Sequence, residues 1–209
     1  MTKPRREVDC VIYDCDGVLF DSLDANQRLY NRIVTSVGRH PLEEEELWYC
    51  HTHTVYEAIK YLCKNDGDLE KKALDVLKTV DLRDFIDYLK IEPNLIETLE
   101  ALQERNIRRA ISTNRTTTMK HIIERFDLGR YFEMVVTALD VKHPKPHPES
   151  VEKILQAFNL QREKTLYVGD SEVDKETALS SGVRFIAYKN RDIAVDGFID
   201  DHHALLDFL

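Results

Sequence analysis

Beyond Pro93 the chain changes its hydrophobic period four times, always in the same order. A stretch with apolar residues at helical spacing comes first, and a short apolar run follows. Leu95-Ile96-x-x-Leu99-x-x-Leu102 leads to Arg109-Ala110-Ile111-Ser112, and Met119 to Leu128 leads to Val135-Val136. Val151 to Leu160 leads to Leu166-Tyr167-Val168, and a shorter helical segment at Lys175 to Ser180 leads to Val183-Arg184-Phe185-Ile186-Ala187. A helix between two strands carries the chain back to its starting edge, so the strands pair in parallel. Helices then cover both faces of the sheet, and strands buried on both faces read as continuous apolar runs.

A further strand-like run lies at residues 8–14, and from about 24 to 90 only helical periodicity occurs. Leu29, Ile33 and Val37 share one helical face, with Gly38 as a stop. Pro41 followed by Glu43 to Glu46 marks a second helix start, where acids complement the dipole and face solvent. Thr54-x-x-Glu57 has the form of a capping box, and Val55, Ile59, Leu62 and Cys63 give its helix an apolar stripe. Leu69, Ala73, Val76 and Leu77 predict another helix, and Leu82, Phe85, Ile86 and Leu89 one more. Trp48 and Tyr49 are expected in the core of this insert. The predicted fold class is α/β: a doubly wound (Rossmann-like) parallel sheet core with a small all-helical cap inserted after the first strand. Residues 1–20 and 91–209 are assigned to the α/β catalytic core and residues 21–90 to the helical cap.

In an open parallel sheet, ligands bind beyond the carboxyl ends of the strands. The first strand delivers Asp14 and Asp16 into a turn containing Gly17. Two acids so close repel each other, and a bound divalent cation with hard oxygen ligands offsets that repulsion. The next strand ends at Thr113 and Asn114, and the third leads into Lys142-His143-Pro144-Lys145-Pro146-His147-Pro148. The fourth gives Gly169-Asp170-Ser171 and then Asp174. Acids, a hydroxyl, an amide and a lysine thus collect on one edge from four separate segments.

These segments, Asp14-Cys15-Asp16-Gly17-Val18, Ser112-Thr113-Asn114, Lys145-Pro146 and Gly169-Asp170-Ser171-Glu172-Val173-Asp174, resemble the four motifs of the haloacid dehalogenase-like superfamily. The resemblance spans nearly the whole chain and looks closest to the phosphoglycolate phosphatase and β-phosphoglucomutase branch, whose members carry a helical cap after the first motif. It implies a magnesium-dependent phosphatase that hydrolyses a small phosphorylated metabolite through an aspartyl-phosphate intermediate, with the cap closing over the substrate. Two alternatives share the motifs: a phosphomutase on the same scaffold, and a non-catalytic phosphometabolite-binding protein.

On this resemblance Asp14 is the nucleophile, which splits one hard step into two. Asp16 is the general acid and base, and its backbone carbonyl also ligates the metal. Thr113 and Lys145 hold the phosphoryl oxygens, and Asn114 adds a backbone donor. Asp170 is the second metal carboxylate, and Asp174 ligates directly or through water. Oxygen ligands and a phosphate substrate favour Mg2+.

Each residue has a plainer reading. Lys142 competes with Lys145 for the phosphate, and Lys-Pro favours Lys145 on the family pattern. Asp174 suits a helix N-cap as well as a ligand. Arg115 reads either as a contact to a substrate carboxylate or phosphate, or as a solvated side chain. His51 and His53 fall between two cap helices, where related caps place a substrate-specificity loop; simple exposure is the rival. No acid or cysteine completes a zinc pattern around His143 and His147, which are assigned to the pocket rim or its surroundings, and His202 and His203 are expected in solvent.

The net charge of −9 argues against nucleic-acid or membrane partners, which need a cationic field. Neither a signal-peptide apolar region nor a membrane span is evident, and the four cysteines show no Cys-x-x-Cys spacing, so free thiols and a cytoplasmic location are expected. The partner implied is a small phosphorylated metabolite, acting on a monomer or homodimer.

Overall fold

In the computed structural model, which describes residues 7–209, the chain falls into two compact units. One comprises the chain up to Asp21 together with Ile91–Leu209, and the other is Ser22–Lys90. In chain order the elements are β1 (Cys10–Tyr13), β2 (Phe20–Asp21), α1 (Leu23–Ser36), α2 (Glu44–Thr52), α3 (Val55–Leu62), α4 (Gly67–Thr79) and β3 (Lys90–Ile91). There follow α5 (Leu95–Glu104), β4 (Arg108–Ser112), α6 (Thr118–Arg125), β5 (Met134–Val136), α7 (Glu149–Phe158), β6 (Thr165–Gly169), α8 (Glu172–Ser181), β7 (Arg184–Tyr188) and β8 (Gly197–Ile199).

The larger unit holds a six-stranded sheet in the order β5-β4-β1-β6-β7-β8, and the neighbouring strands pair in parallel. The chain first winds outward from β1 through β4 to β5, then restarts beside β1 at β6 and winds the other way. Between β1 and β6 lies the point where the winding reverses, and a crevice opens there at the carboxyl ends. Tyr13, the last residue of β1, is in register with Ile111 of β4 and Val168 of β6. The residues that follow these three strands therefore leave the sheet at one level.

Alternation along each strand divides the core in two. Cys10, Ile12, Ala110, Tyr167, Phe185 and Ala187 pack with Val151, Ile154 and Leu155 of α7 and Ala178 of α8. Val11, Tyr13, Ile111, Val168 and Ile186 alternate with these and are equally buried, so both faces of the sheet are covered. This is the doubly wound α/β arrangement that the periodicity predicts. The strand β8 is an addition: three residues, the first of them a glycine, carry too little pattern to read, and it is tied in by Lys189 N–H donating to Ile199 O (2.8 Å).

The smaller unit is helical and has its own core of Tyr30, Ile33, Val34, Cys50, Ala58, Ile59, Leu62, Cys63 and Ala73. The capping box Thr54–Glu57 is formed, with Thr54 N–H donating to Glu57 Oε2 at 3.0 Å. Gly38, at φ +85°, ends the first helical segment. Two expectations for this unit fail. Leu82–Tyr88 is a 3-10 segment rather than an α-helix, entered through Asp81, whose carboxylate accepts from Arg83 N–H, and at 7 residues it is long for that tighter winding. Trp48 is 53% exposed rather than part of the core, because Leu47 and Cys50 supply the buried face of α2.

His202 is likewise corrected: it is fully buried, its ring stacks on Tyr188 with centroids 4.5 Å apart, and its Nε2–H donates to Val18 O at 2.8 Å. Its neighbour His203 is exposed. The four cysteines are buried and unbonded, as free thiols require. No helix among the described residues is long and apolar enough to cross a membrane.

Candidate active site

The carboxylates gather because two glycines let them in. Asp14 continues the ladder of β1, its N–H donating to Val168 O at 3.0 Å. Three residues on, Gly17 turns the loop with φ +71°, and a Cβ at that position would stand 2.0 Å from Asp170 Oδ2. At the end of β6 a Cβ on Gly169 would stand 2.3 Å from Asp174 Cβ. Any other residue at either position would push an acid out of the crevice. One carboxylate oxygen from each of Asp14, Asp170 and Asp174 lies within 4.8 Å of the others.

Lys145 enters this group from the loop after β5. Its Nζ lies 2.7 Å from Asp14 Oδ1, 2.6 Å from Asp174 Oδ1 and 3.1 Å from the Tyr167 hydroxyl, which takes all three ammonium hydrogens. Asn114 holds the lysine's backbone in a reciprocal pair: its Nδ2 donates to Lys145 O and its Oδ1 accepts from Lys145 N–H, each at 3.0 Å. Asp174 is anchored from the other side by Ser171, whose hydroxyl donates to Asp174 Oδ2 at 2.6 Å within a capping box that starts α8. Thr113 is buried at the end of β4, and its Oγ1 accepts from Arg115 N–H at 3.1 Å, which leaves its own hydrogen to donate elsewhere.

Asp16 points along a different line. Its two oxygens meet the Arg115 fork, with Nη2–Oδ1 at 2.6 Å and Nε–Oδ2 at 2.7 Å. Arg115 is therefore held in an ion pair rather than projecting freely into solvent, and the pairing of residues 99 positions apart has no signature in sequence.

The electrostatics record a shortage of positive charge. Burial, then the neighbouring Asp174, push the Asp14 carboxyl up to about 7, against the pull of Lys145. Burial, then Asp174 and Asp14, raise the Asp170 carboxyl well above its ordinary range. Burial works against the Lys145 ammonium, but Asp14 and Asp174 outweigh it and hold the lysine charged. Enclosed carboxylates with one lysine among them form a hard-oxygen donor set lacking positive charge, and a divalent cation of the Mg2+ kind fits both features.

Of the residues singled out in sequence, Asp14, Asp170, Asp174, Lys145, Thr113, Asn114 and Asp16 all stand at the carboxyl ends of β1, β4 and β6 and on the loop after β5. Lys142 is exposed and does not join them. His51 and His53 belong to the helical unit: His51 Nδ1 is 3.1 Å from Asn26 Nδ2, and His53 stacks on Tyr49 with centroids 3.8 Å apart. Glu149 completes a three-donor group with His143 and His147, against the expectation that no acid does so. Its carboxylate already accepts from the N–H groups of Lys142 and His143 and lies 3.0 Å from His143 Nδ1, and so clasps an exposed loop. In sequence Tyr167 is one residue of an apolar strand, with no sign that its hydroxyl reaches Lys145 Nζ.

The sequence profile of the haloacid dehalogenase-like hydrolases matches residues 11–188. A HAD-superfamily hydrolase of subfamily IA, variant 1, from Geobacter sulfurreducens is 36% identical and superimposes with a TM-score of 0.85, covering 97% of this chain and 96% of its own. A phosphoglycolate phosphatase of Rhodobacter capsulatus is 27% identical over 85% of this chain and 83% of its length. Pyrophosphatase PpaX of Oceanobacillus iheyensis is 27% identical over 78% and 75%. The chain belongs to the haloacid dehalogenase-like hydrolase family. Within it the chain groups with the phosphoglycolate phosphatase-like branch, and the helical unit after β1 is the cap of that fold.

Proposed function

We propose that this chain is a magnesium-dependent phosphatase of small phosphorylated metabolites, working through an aspartyl-phosphate on Asp14. The observation that carries the reading is the convergence of Asp14, Asp170, Asp174 and Lys145 at the winding reversal, inside a chain of a hydrolase family. Asp14 and Asp170, with the backbone carbonyl of Asp16, would hold the ion, and Asp174 would contribute through water. When bound, the ion supplies positive charge that draws in the phosphoryl oxygens and keeps the carboxylates ionised.

An Asp14 oxygen attacks phosphorus, and the bond from phosphorus to the ester oxygen breaks. Asp16 gives the departing alkoxide its proton and then takes one from water as that water attacks the acyl phosphate. Inorganic phosphate leaves and Asp14 is restored. The Thr113 hydroxyl holds a non-bridging oxygen, and Lys145 turns the N–H that now meets Asp14 toward another as that carboxylate becomes the acyl phosphate, while Asn114 and Asp174 keep Lys145 in place. Phosphoryl transfer asks the protein chiefly for such positioning and charge stabilisation. The relatives above bear hydrolase names, and no residue of the core favours transfer to a sugar hydroxyl over transfer to water.

The test is hydrolysis of para-nitrophenyl phosphate with Mg2+ and with a chelator. We expect Mg2+-dependent release of phosphate and a covalent phosphoryl adduct on Asp14 after rapid acid quench. Release that persists unchanged in chelator, or an Asp14→Asn variant of native activity, would overturn the mechanism.

A further inference from the structure

Resting on the phosphatase reading, we infer that Arg115 is a substrate subsite, selecting phosphate esters that carry a second anionic group. Lys145 is only 4% exposed and is saturated by Asp14, Asp174 and Tyr167. Arg115 is 20% exposed, and its partner Asp16 is 38% exposed, so that ion pair is the part of the site that an incoming molecule can reach. The Arg115 backbone is fixed by its N–H to Thr113 Oγ1, one of the groups assigned to the transferred phosphoryl. The guanidinium therefore stands next to the reacting group, yet its present partner is not a metal-cluster carboxylate but the side chain that must serve the leaving group.

A guanidinium fork recognises any planar or tetrahedral oxyanion with two oxygens to offer. Exchange of the Asp16 carboxylate for a carboxylate or phosphate on the leaving group replaces like with like, so the fork is never left bare. The same exchange releases the Asp16 side chain at the moment when the leaving oxygen arrives beside it. An ester with a neutral leaving group offers no replacement anion. It must either leave Asp16 clamped or strip Arg115 of its anionic partner, leaving only the long 3.5 Å contact of Nη1 to Thr118 Oγ1, and it is disfavoured in both cases. The site thus discriminates by charge on the leaving group, and the ligand class is a phosphomonoester or pyrophosphate with an anion close to the scissile bond.

The experiment compares phosphoglycolate and inorganic pyrophosphate with para-nitrophenyl phosphate, with Mg2+ present, in the native protein, Arg115→Gln and Arg115→Lys. The readout is each doubly anionic substrate's kcat/KM divided by that for the aryl phosphate. We expect Arg115→Gln to lower this ratio at least about tenfold for one or both, chiefly through KM, and Arg115→Lys to lower it about threefold by keeping the charge without the fork. Melting curves check that the variants fold, and Arg115→Lys carries the test if Arg115→Gln does not. Native hydrolysis of all three substrates with ratios unmoved in the folded variants would overturn the subsite and leave the phosphatase reading standing. No Mg2+-dependent hydrolysis of any substrate by the native protein would overturn both.

Discussion

Asp14 meets three demands at once: it is buried, it lies among other acids, and it is assigned the attack on phosphorus. Its carboxyl is pushed up to about 7 by burial and Asp174, so the bare site resists holding it ionised. Asp14→Asn removes the attacking oxygen and one of the repelling charges together. We expect turnover to fall at least about a thousandfold, while the melting temperature in the absence of metal stays level or rises. A variant that unfolds would point to a structural role instead. His202 offers a separate test by titration. Burial holds its imidazole down to about 4, from 6.5 in an open chain. Between those values the unfolded chain binds the extra proton, so stability is complete above pH 6.5 and falls as the pH drops through the window. Between pH 7.5 and 5 the loss amounts to about 2 kcal/mol. Denaturant titrations of His202→Gln, which keeps a donor toward Val18 O, should show a correspondingly shallower loss. Equal losses in the two proteins would contradict this origin.

The loop between β1 and β2 does what its side chains alone do not. Gly17 is its pivot, at a φ that other residues rarely adopt and with Asp170 pressed against the missing Cβ. We expect Gly17→Ala to destabilise the fold by about 1–3 kcal/mol and to lower kcat/KM with the loss of Asp170 placement. Added Mg2+ should then shift the variant's melting curve less than it shifts the native one. An equal shift would show that Asp170 had found its place again. On the helical unit the same kind of argument is independent of chemistry. The box of Thr54 and Glu57 starts α3, and Thr54→Ala should cost about 1 kcal/mol, visible as a lower denaturant midpoint without a change in KM.

For the molecule as a whole, the excess of carboxylates makes cation binding a stability term. A cation that binds only the folded state at a hundred times its dissociation constant adds about 2.7 kcal/mol. In a chain of this size that corresponds to a rise of roughly 5–10 °C in melting temperature. We expect such a rise with Mg2+, reversal by chelator, and its absence in Asp170→Asn. A native melting curve indifferent to Mg2+ would argue against the cluster as a cation site.

What could be read from the residues in order was whatever repeats or terminates locally. Apolar runs alternating with helical stripes specified a parallel sheet, because burial on both faces leaves no room for alternation. Acids, a threonine and a lysine at the ends of those runs marked the edge where a ligand binds. The 3-10 winding of Leu82–Tyr88 was not legible because apolar residues three apart fit either kind of turn, and β8 and the burial of His202 were not legible because they depend on pairing with other segments. The clamp of Arg115 on Asp16, the Tyr167 hydroxyl on Lys145 and the Asn114 pair with the lysine backbone were equally hidden. Local pattern determines which face of an element is apolar. Only the packed sheet decides which polar side chains end within 3 Å of one another, because those distances are set by strand register and loop path rather than by spacing along the chain.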